Sequence, residues 1–299
     1  NPARVESEGF GIVIEGTNHT VSGNTLQNND VAVQHQGGLH PHANYTPNNV
    51  GDGDQADGRS TAYFGRGNAP YACDIAIRDN TFSLNNQDLR QTVGGGSGGL
   101  VTNTTTSKYF CTIQAAIDNS HTSAGDTITL SANVFSELVN VSKSITLEGA
   151  PGTVLMPNAN VPDFASAHAG SILWLQAPNI TIRNLTLDGD NPTICDGMAA
   201  GGADINAARG IYMGGSGGLH DGATIENVSL RNLGRGVNLY GGQGHIFQDN
   251  TGSNFGGPDA GNYGFGILLQ GNTSAQISGN QINNALAAGI FMQNNQSGN

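Results

Sequence analysis

Gly289-Ile290-Phe291-Met292, Gly266-Ile267-Leu268-Leu269, Gly236-Val237-Asn238-Leu239, Gly210-Ile211-Tyr212-Met213 and Gly11-Ile12-Val13-Ile14 are one phrase written five times. Each accompanies a second, shorter strand that ends in a polar turn: Ile277-Ser278-Gly279-Asn280, Ile225-Glu226-Asn227, Thr181-Ile182-Arg183-Asn184, Val21-Ser22-Gly23-Asn24 and Ile77-Arg78-Asp79-Asn80. Asn227 precedes Gly236 by nine residues, and Asn280 precedes Gly289 by nine. Short strands recurring at a period of roughly twenty to thirty residues are the mark of a solenoid. The turn between strands is sharp, and Asn tolerates the left-handed backbone it needs. Stacked turns set these amides above one another as a ladder, which makes the Asn positions structural. Apolar residues at alternate positions point inward, and each coil pairs its backbone with the next at ~4.8 Å. The predicted fold is a right-handed parallel β-helix, an all-β three-sheet solenoid of about nine coils.

Working outward, Cys111-Thr112-Ile113-Gln114-Ala115-Ala116-Ile117-Asp118 carries apolar residues at helical spacing, which predicts a short capping helix near 112–119. Strand-like segments follow at 125–130, 135–141 and 144–149. A solenoid must cover its core at its ends, and an amphipathic helix with a first coil does so. The helix and these strands resemble the entry region of the pectin-lyase-like β-helix superfamily, which includes pectin methylesterases, polygalacturonases, polysaccharide lyases and NosD-like proteins. The resemblance implies the fold. Its catalytic signatures do not carry over: there is no Asp-Asp pair, and Gly244-His245-Ile246 is the nearest approach to the polygalacturonase Gly-His-Gly. The Arg-Pro lyase motif and the methylesterase Gln-Asp-Thr and Asp-Phe-Ile-Phe-Gly elements are missing as well.

An entry block belongs at the start of a solenoid, yet here it begins near residue 108. Before it lies Gly94-Gly95-Gly96-Ser97-Gly98-Gly99, a flexible linker composition. Joining residue 299 to residue 1 places Ser297-Gly298-Asn299 eleven residues before Gly11, in the manner of the other repeats. The order reads as a circular permutation: 1–92 as C-terminal coils moved to the front, 93–99 as linker, and 100–299 as capping helix and N-terminal coils. The alternative is a natural Gly-rich loop between two solenoids. Nine coils put the original ends roughly 40 Å apart, whereas the linker reaches only about 25 Å. Residues 1–92 are therefore expected to complete an open coil within the chain or by exchange between chains.

Composition bounds the partners. Charged residues are 11% of the chain, Lys108 and Lys143 are its two lysines, and the net charge is −12. Phosphate binding needs clustered Lys and Arg, so nucleic acid is not an expected partner. No apolar run of roughly eighteen residues predicts a membrane span. An acidic, Asn- and Thr-rich, lysine-poor surface fits an extracellular or cell-surface protein. Cys73, Cys111 and Cys195 allow one disulfide at most and equally suit small buried positions.

Alternation along the Gly-led strands places Ile211, Val237, Ile267, Ile290 and Ile12 inside. Tyr212, Asn238, Leu268, Phe291 and Val13 then face out, preceded by Trp174, and a second outward column reads Gln176, Tyr240, Gln270, Gln293, Glu15 and Gln34. Flat rings beside amides suit the faces and hydroxyls of a sugar chain. The expected substrate-binding residues are Trp174, Tyr212, Asn238, Tyr240, Phe291 and Glu15. The alternative is that loops cover the stripe. Insertions at 188–209, 251–264 and 36–72 flank this face. Glycoside hydrolysis needs two carboxyls about 5 Å or 6.5–9.5 Å apart, and a β-eliminating lyase needs a base and a cation for the uronate. Asp188, Asp190, Asp196 and Arg209 are the expected catalytic set, with Arg235 and His245 as further lyase candidates. Asp52-Gly53-Asp54-Gln55-Ala56-Asp57 resembles a loosened Ca2+ loop, which makes Asp52, Asp54 and Asp57 candidate ligands and a solvated turn the alternative. The functional expectation is a polysaccharide- or oligosaccharide-binding or -processing β-helix of hydrolase or lyase type. Its rival is a non-catalytic, circularly permuted folding or self-assembly scaffold that associates through residues 1–92.

Overall fold

The computed structural model describes residues 10–14, 19–29, 31–37, 75–85, 87–93, 101–110, 112–161, 170–195, 197–214, 220–258, 261–271 and 273–293. The chain divides into two compact units, Asn1–Asn119 and Ser120–Asn299. Among the described residues, no helix is long and apolar enough to cross a membrane.

The second unit is a parallel β-helix in which, among the described residues, each of three sheets stacks six strands. Its first sheet stacks Thr127–Leu130, Thr146–Gly149, Thr181–Arg183, Thr224–Glu226, His245–Gln248 and Ala275–Ser278. The second stacks Val134–Ser136, Val154–Met156, Thr186–Asp188, Ser229–Leu233, Thr251–Phe255 and Gln281–Ile282. The third stacks Val139–Val141, Ser171–Leu175, Arg209–Met213, Arg235–Tyr240, Phe265–Gln270 and Ala288–Gln293. Every pairing among these strands is parallel, and register aligns like with like. Ile128, Leu147, Ile182, Ile225 and Phe247 form one buried row, and Leu173, Ile211, Val237 and Ile267 form another. Such rows remove apolar surface from water at about 25 cal/mol per Å². The right-handed parallel β-helix expected from the repeat is the fold observed.

The turns refine the repeat. Between the first and second sheets the left-handed residue is Asn184, Asn227, Asp249 or Gly279, with φ between 51° and 65°. Those are the residue types that occupy this region most easily. The ladder amides Asn250 and Asn280 stand one position later, so aligning Asn280 with Asn227 was one residue out of register. Asn280 Oδ1 accepts from both the backbone N–H (3.0 Å) and Nδ2 (2.8 Å) of Asn250. Asn250 Oδ1 accepts from the Val228 N–H at 2.9 Å, and its Nδ2 donates to the Ile225 carbonyl at 2.9 Å. Where Asn fills the left-handed position itself it also bridges coils, as Asn227 Nδ2 does to Asn184 Oδ1 at 2.7 Å.

The third sheet carries a shared kink at its glycines. A Cβ on Gly236 would stand 2.5 Å from the Gly266 carbonyl oxygen and 2.8 Å from the Phe255 ring, and one on Gly210 would stand 2.9 Å from Leu233 Cδ1. Gly210 and Gly236 thus look into the core, and so do Ile211 and Val237 after them. Two consecutive inward residues turn the one before them outward, onto the same side as the residue three positions on.

The first unit repeats the same plan. Phe10–Ile14, Val31–Gly37 and Gln87–Val93 pair in parallel, as do Thr20–Ser22 with Ile75–Arg78 and Thr25–Gln27 with Thr81–Ser83. Ile14, Val21, Leu26, Ala32, Val33 and Ile77 form its core. The Asn24–Asn80 and Asn29–Asn85 pairs form its ladders. Val101–Asn103 and Lys108–Phe110 make an antiparallel pair, followed by the expected helix at Ile113–Asp118. Thr112 caps that helix, its side chain accepting from the Ala115 N–H, and Ile113, Ala116 and Ile117 are buried.

Candidate functional site

The kink assembles the outer face of the third sheet from three columns of side chains. The first is Arg209, Arg235 and Phe265, which strict alternation would have sent inward. The second is Trp174, Tyr212, Asn238, Leu268 and Phe291. The third is Tyr240, Gln270 and Gln293. Contacts three residues apart tie the first column to the second. The Arg209 guanidinium lies 4.8 Å over the Tyr212 ring, and Arg235 Nη1 donates to Asn238 Oδ1 at 2.8 Å. Phe265 stacks on Phe291 of the next coil at 5.3 Å and 28°. Amides tie the second column to the third: Asn238 Nδ2 donates to Gln270 Oε1 at 3.0 Å, and Gln270 Nε2 to Gln293 Oε1 at 2.7 Å.

This face is less open than a bare aromatic stripe. Arg209, Tyr212, Arg235, Asn238 and Leu268 are buried, Trp174 is half-buried, and Tyr240 and Phe291 are exposed. Part of the cover is Asn262, whose carbonyl accepts from Arg235 Nε at 2.7 Å. Arg209 is pushed down to about 10, first by burial and then by the neighbouring Arg235 charge. Burial is also what raises Tyr212. At the exposed end the face opens into a recess of about 450 Å³ lined by Arg235, Phe265, Leu268, Phe291 and Gln293. It offers a cation, two stacked rings and an amide to one ligand. Phe265 was not singled out from the sequence, since alternation hid it. The Phe at the position held by Arg in the two preceding coils was the available signal.

The acidic residues lie elsewhere. Asp188 ends a strand of the second sheet, is buried, and accepts from Arg231 Nε at 2.7 Å, Asn232 Nδ2 at 2.8 Å and the Asp190 N–H at 3.2 Å. Arg231 and Asn232 stand on the adjacent coil, so this carboxylate joins coils. Asp190 Oδ2 accepts from the Asp204 N–H at 3.3 Å, beside the antiparallel hairpin Met198–Ala200 and Ala203–Ile205. Asp188 and Arg209 thus belong to different sheets. His245 is fully buried, with Nδ1 accepting from the Ala223 N–H and Nε2 directed at the Gly241 carbonyl; burial lowers its pKa. That geometry fixes a neutral tautomer within the fold. Cys195 is exposed and free. Among the described residues, no group of three His, Cys, Asp or Glu could hold a metal ion. The expectations placed on Glu15, Asp52, Asp54, Asp57 and Asp196, on Cys73 and Cys111, and on the linker glycines lie outside the described residues.

Comparison with known proteins agrees with the architecture. Residues 158–299 match the family model described as right handed beta helix region. Among solved structures, the chain is similar to pectin methylesterase PemA from Erwinia chrysanthemi at 20% identity, covering 56% of this chain and 51% of that one, with a TM-score of 0.39. It is similar to a pectin methylesterase in complex with hexasaccharide VII at 20% identity, 56% and 51% coverage and a TM-score of 0.38. The pectin methylesterase from Yersinia enterocolitica shares 19% identity, with 57% of each chain covered and a TM-score of 0.33. The chain spans about half the length of these structures. None of the curated proteins matches it.

Proposed function

We propose that this right-handed parallel β-helix is an extracellular or cell-surface protein that binds polysaccharide, the glycan lying on the outer face of the third sheet. The observation that carries the reading is the recess in which the stacked Phe265 and Phe291 stand beside Gln293 and Arg235. Rings take the apolar face of a sugar, and amides and a guanidinium take its hydroxyls. The Asp188 ties to Arg231 and Asn232 support a structural role for that carboxylate rather than a catalytic one. The reading is therefore of a binding face first, with hydrolase- or lyase-type processing as the activity to assay on it. Calorimetric titration with neutral and acidic oligosaccharides tests it. At least one is expected to bind, and Phe291→Ala is expected to weaken that binding ~10-fold, the worth of a buried ring contact. Binding that Phe291→Ala leaves untouched would overturn the placement, and an absence of binding would overturn the function.

A second reading, self-association of a permuted solenoid, draws support from the pattern shared by Phe10–Ile14 and Ala288–Gln293. Both carry the Gly-led phrase, and both pair in parallel with a strand of the same kind. Light scattering across a concentration series tests it: a mass that grows with concentration supports exchange, and a constant monomer excludes it.

A further inference from the structure

The triplet Asn-x-Ser/Thr recurs where this fold turns from one sheet to the next. Asn184-Leu185-Thr186 and Asn227-Val228-Ser229 show why. The turn takes a left-handed Asn, the next residue is buried, and the third opens a strand of the second sheet with its hydroxyl on the outer side. The same triplet is the acceptor motif for N-linked glycan. The architecture thus supplies the motif for its own reasons, and an acceptor is told from a structural copy by the state of the amide nitrogen. Asn184 Nδ2 donates to Glu148 Oε1 at 3.0 Å, and Asn227 Nδ2 donates to Asn184 Oδ1 at 2.7 Å, so both nitrogens bridge neighbouring coils. A sugar on either would break the bridge and stand in the ~4.8 Å step between coils. In Asn103-Thr104-Thr105 the Asn is fully buried. In Asn140-Val141-Ser142 it is half-buried within the strand Val139–Val141, beside Trp174.

Asn179-Ile180-Thr181 differs from all of these. Asn179 lies on the turn from the third-sheet strand Ser171–Leu175 to the first-sheet strand Thr181–Arg183, with a φ of 54°, and it is exposed. The backbone is anchored: Ile180 is buried, and the Asn179 N–H donates to the Asp221 carbonyl of the next coil at 2.8 Å. A Cβ on Gly222 would stand 2.3 Å from Asn179 Oδ1 and 3.3 Å from its Cγ. The amide oxygen is therefore the atom turned toward the next coil, and the nitrogen is turned away from it. Among the described residues, no hydrogen bond engages that nitrogen. We propose that Asn179 is an N-glycosylation site, the one triplet of the five whose nitrogen the folded coils leave accessible. The site rests on the extracellular reading above, because the sugar donor and its transferase belong to an export route. Asn179 Nδ2 forms a bond to the anomeric carbon of an oligosaccharide carried on a lipid pyrophosphate. The bond from that carbon to the pyrophosphate oxygen breaks, the amide gives up one proton, and the lipid pyrophosphate leaves.

The test directs the full chain into the export pathway of a eukaryotic host. Enzymatic release of N-glycans in heavy-oxygen water converts each occupied Asn to a labelled Asp, and peptide mass spectrometry reads the label site by site. Asn179 is expected to carry the label, several-fold above Asn184 and Asn227. Asn179→Asp removes the nitrogen and keeps a residue type that already holds a left-handed turn at Asp249; it is expected to lower the intact mass by one glycan. Thr181→Val keeps the branched shape, removes the hydroxyl of the motif and is expected to cause the same loss. Should either variant fail to fold, the peptide map of the unaltered chain still decides. An exported, folded chain that is bare at Asn179, or labelled equally at Asn179, Asn184 and Asn227, overturns the site while leaving the extracellular reading intact. A chain that enters the export route and is never released folded overturns both.

Discussion

Asp188→Asn is the substitution on which the reading of the acidic residues turns. The side chain is 7% exposed, and its two oxygens accept from Arg231, Asn232 and the Asp190 backbone. Replacement by Asn keeps the shape, removes the charge and turns one acceptor into a donor facing donors. Arg231 is 47% exposed, so water takes up its charge and the Coulombic part of the loss is small. What is lost is charge-assisted hydrogen bonding to a buried acceptor, so the expected cost is about 2 kcal/mol. For a unit of this size each kcal/mol moves the melting temperature by about 2–4 °C, so the variant should melt ~4–8 °C lower. Circular dichroism melts of Asp188→Asn, Arg231→Gln and the double variant give the coupling directly, and the double loss should be smaller than the sum. Glycan titration and cleavage are measured on the same samples at a temperature where all three are folded. Unchanged binding beside a lowered melting temperature is the expected pattern. A variant that melts like the parent but loses a glycan-cleaving activity would refute the structural assignment and restore Asp188 to the catalytic set.

Two further outcomes follow from the geometry. Asn250→Ala removes the acceptor of the buried Val228 N–H and the bridge to Asn280; leaving that donor without its partner should cost ~2–3 kcal/mol, read as a lower denaturant midpoint at unchanged slope. His245 is held neutral by burial, so its folded pKa lies below the value of about 6.5 that the unfolded chain shows. The unfolded state therefore takes up a proton that the folded state refuses. Stability is full above that pH and falls as pH drops through it toward the folded pKa. Melts at pH 8 and pH 5 should show this fall, and His245→Gln should reduce it; an equal fall in both proteins would place the acid sensitivity elsewhere.

Much of the architecture was legible because it repeats. The Gly-led strands, the polar turns and the helix at Ile113–Asp118 each carry a local signature, and stacking multiplies it. The turn alignment slipped by one residue because Asn serves two purposes there. In Asn227 it supplies the left-handed backbone, and in Asn280 it supplies the amide after a Gly that has taken over the backbone role. The site was legible in part. Trp174, Tyr212, Asn238 and Phe291 do form one outward column. Arg235 and Phe265 stand in a column beside it, preceding Gly236 and Gly266 whose positions have no room for a Cβ, and a period-2 count cannot foresee a kink. Asp188 stands apart from Arg209 for another reason. Adjacent strands of one coil lie on different sheets, so nearness in sequence to Arg209 says nothing of a shared face.

The kink that brings Arg209, Arg235 and Phe265 into one column has a consequence for orientation. Along the axis the column passes from two cations to an aromatic ring and then to Ala288, while the backbone beneath it stays the same. A chain molecule lying parallel to the axis thus meets a polar gradient rather than a uniform track. Slid by one coil it would keep its fit to the backbone and lose its fit to the side chains. Turned end for end it would bring its groups to the gradient in reverse order. On the proposed glycan-binding reading, the face would tell the head of a polymer from its tail, a distinction that a perfectly regular solenoid cannot make.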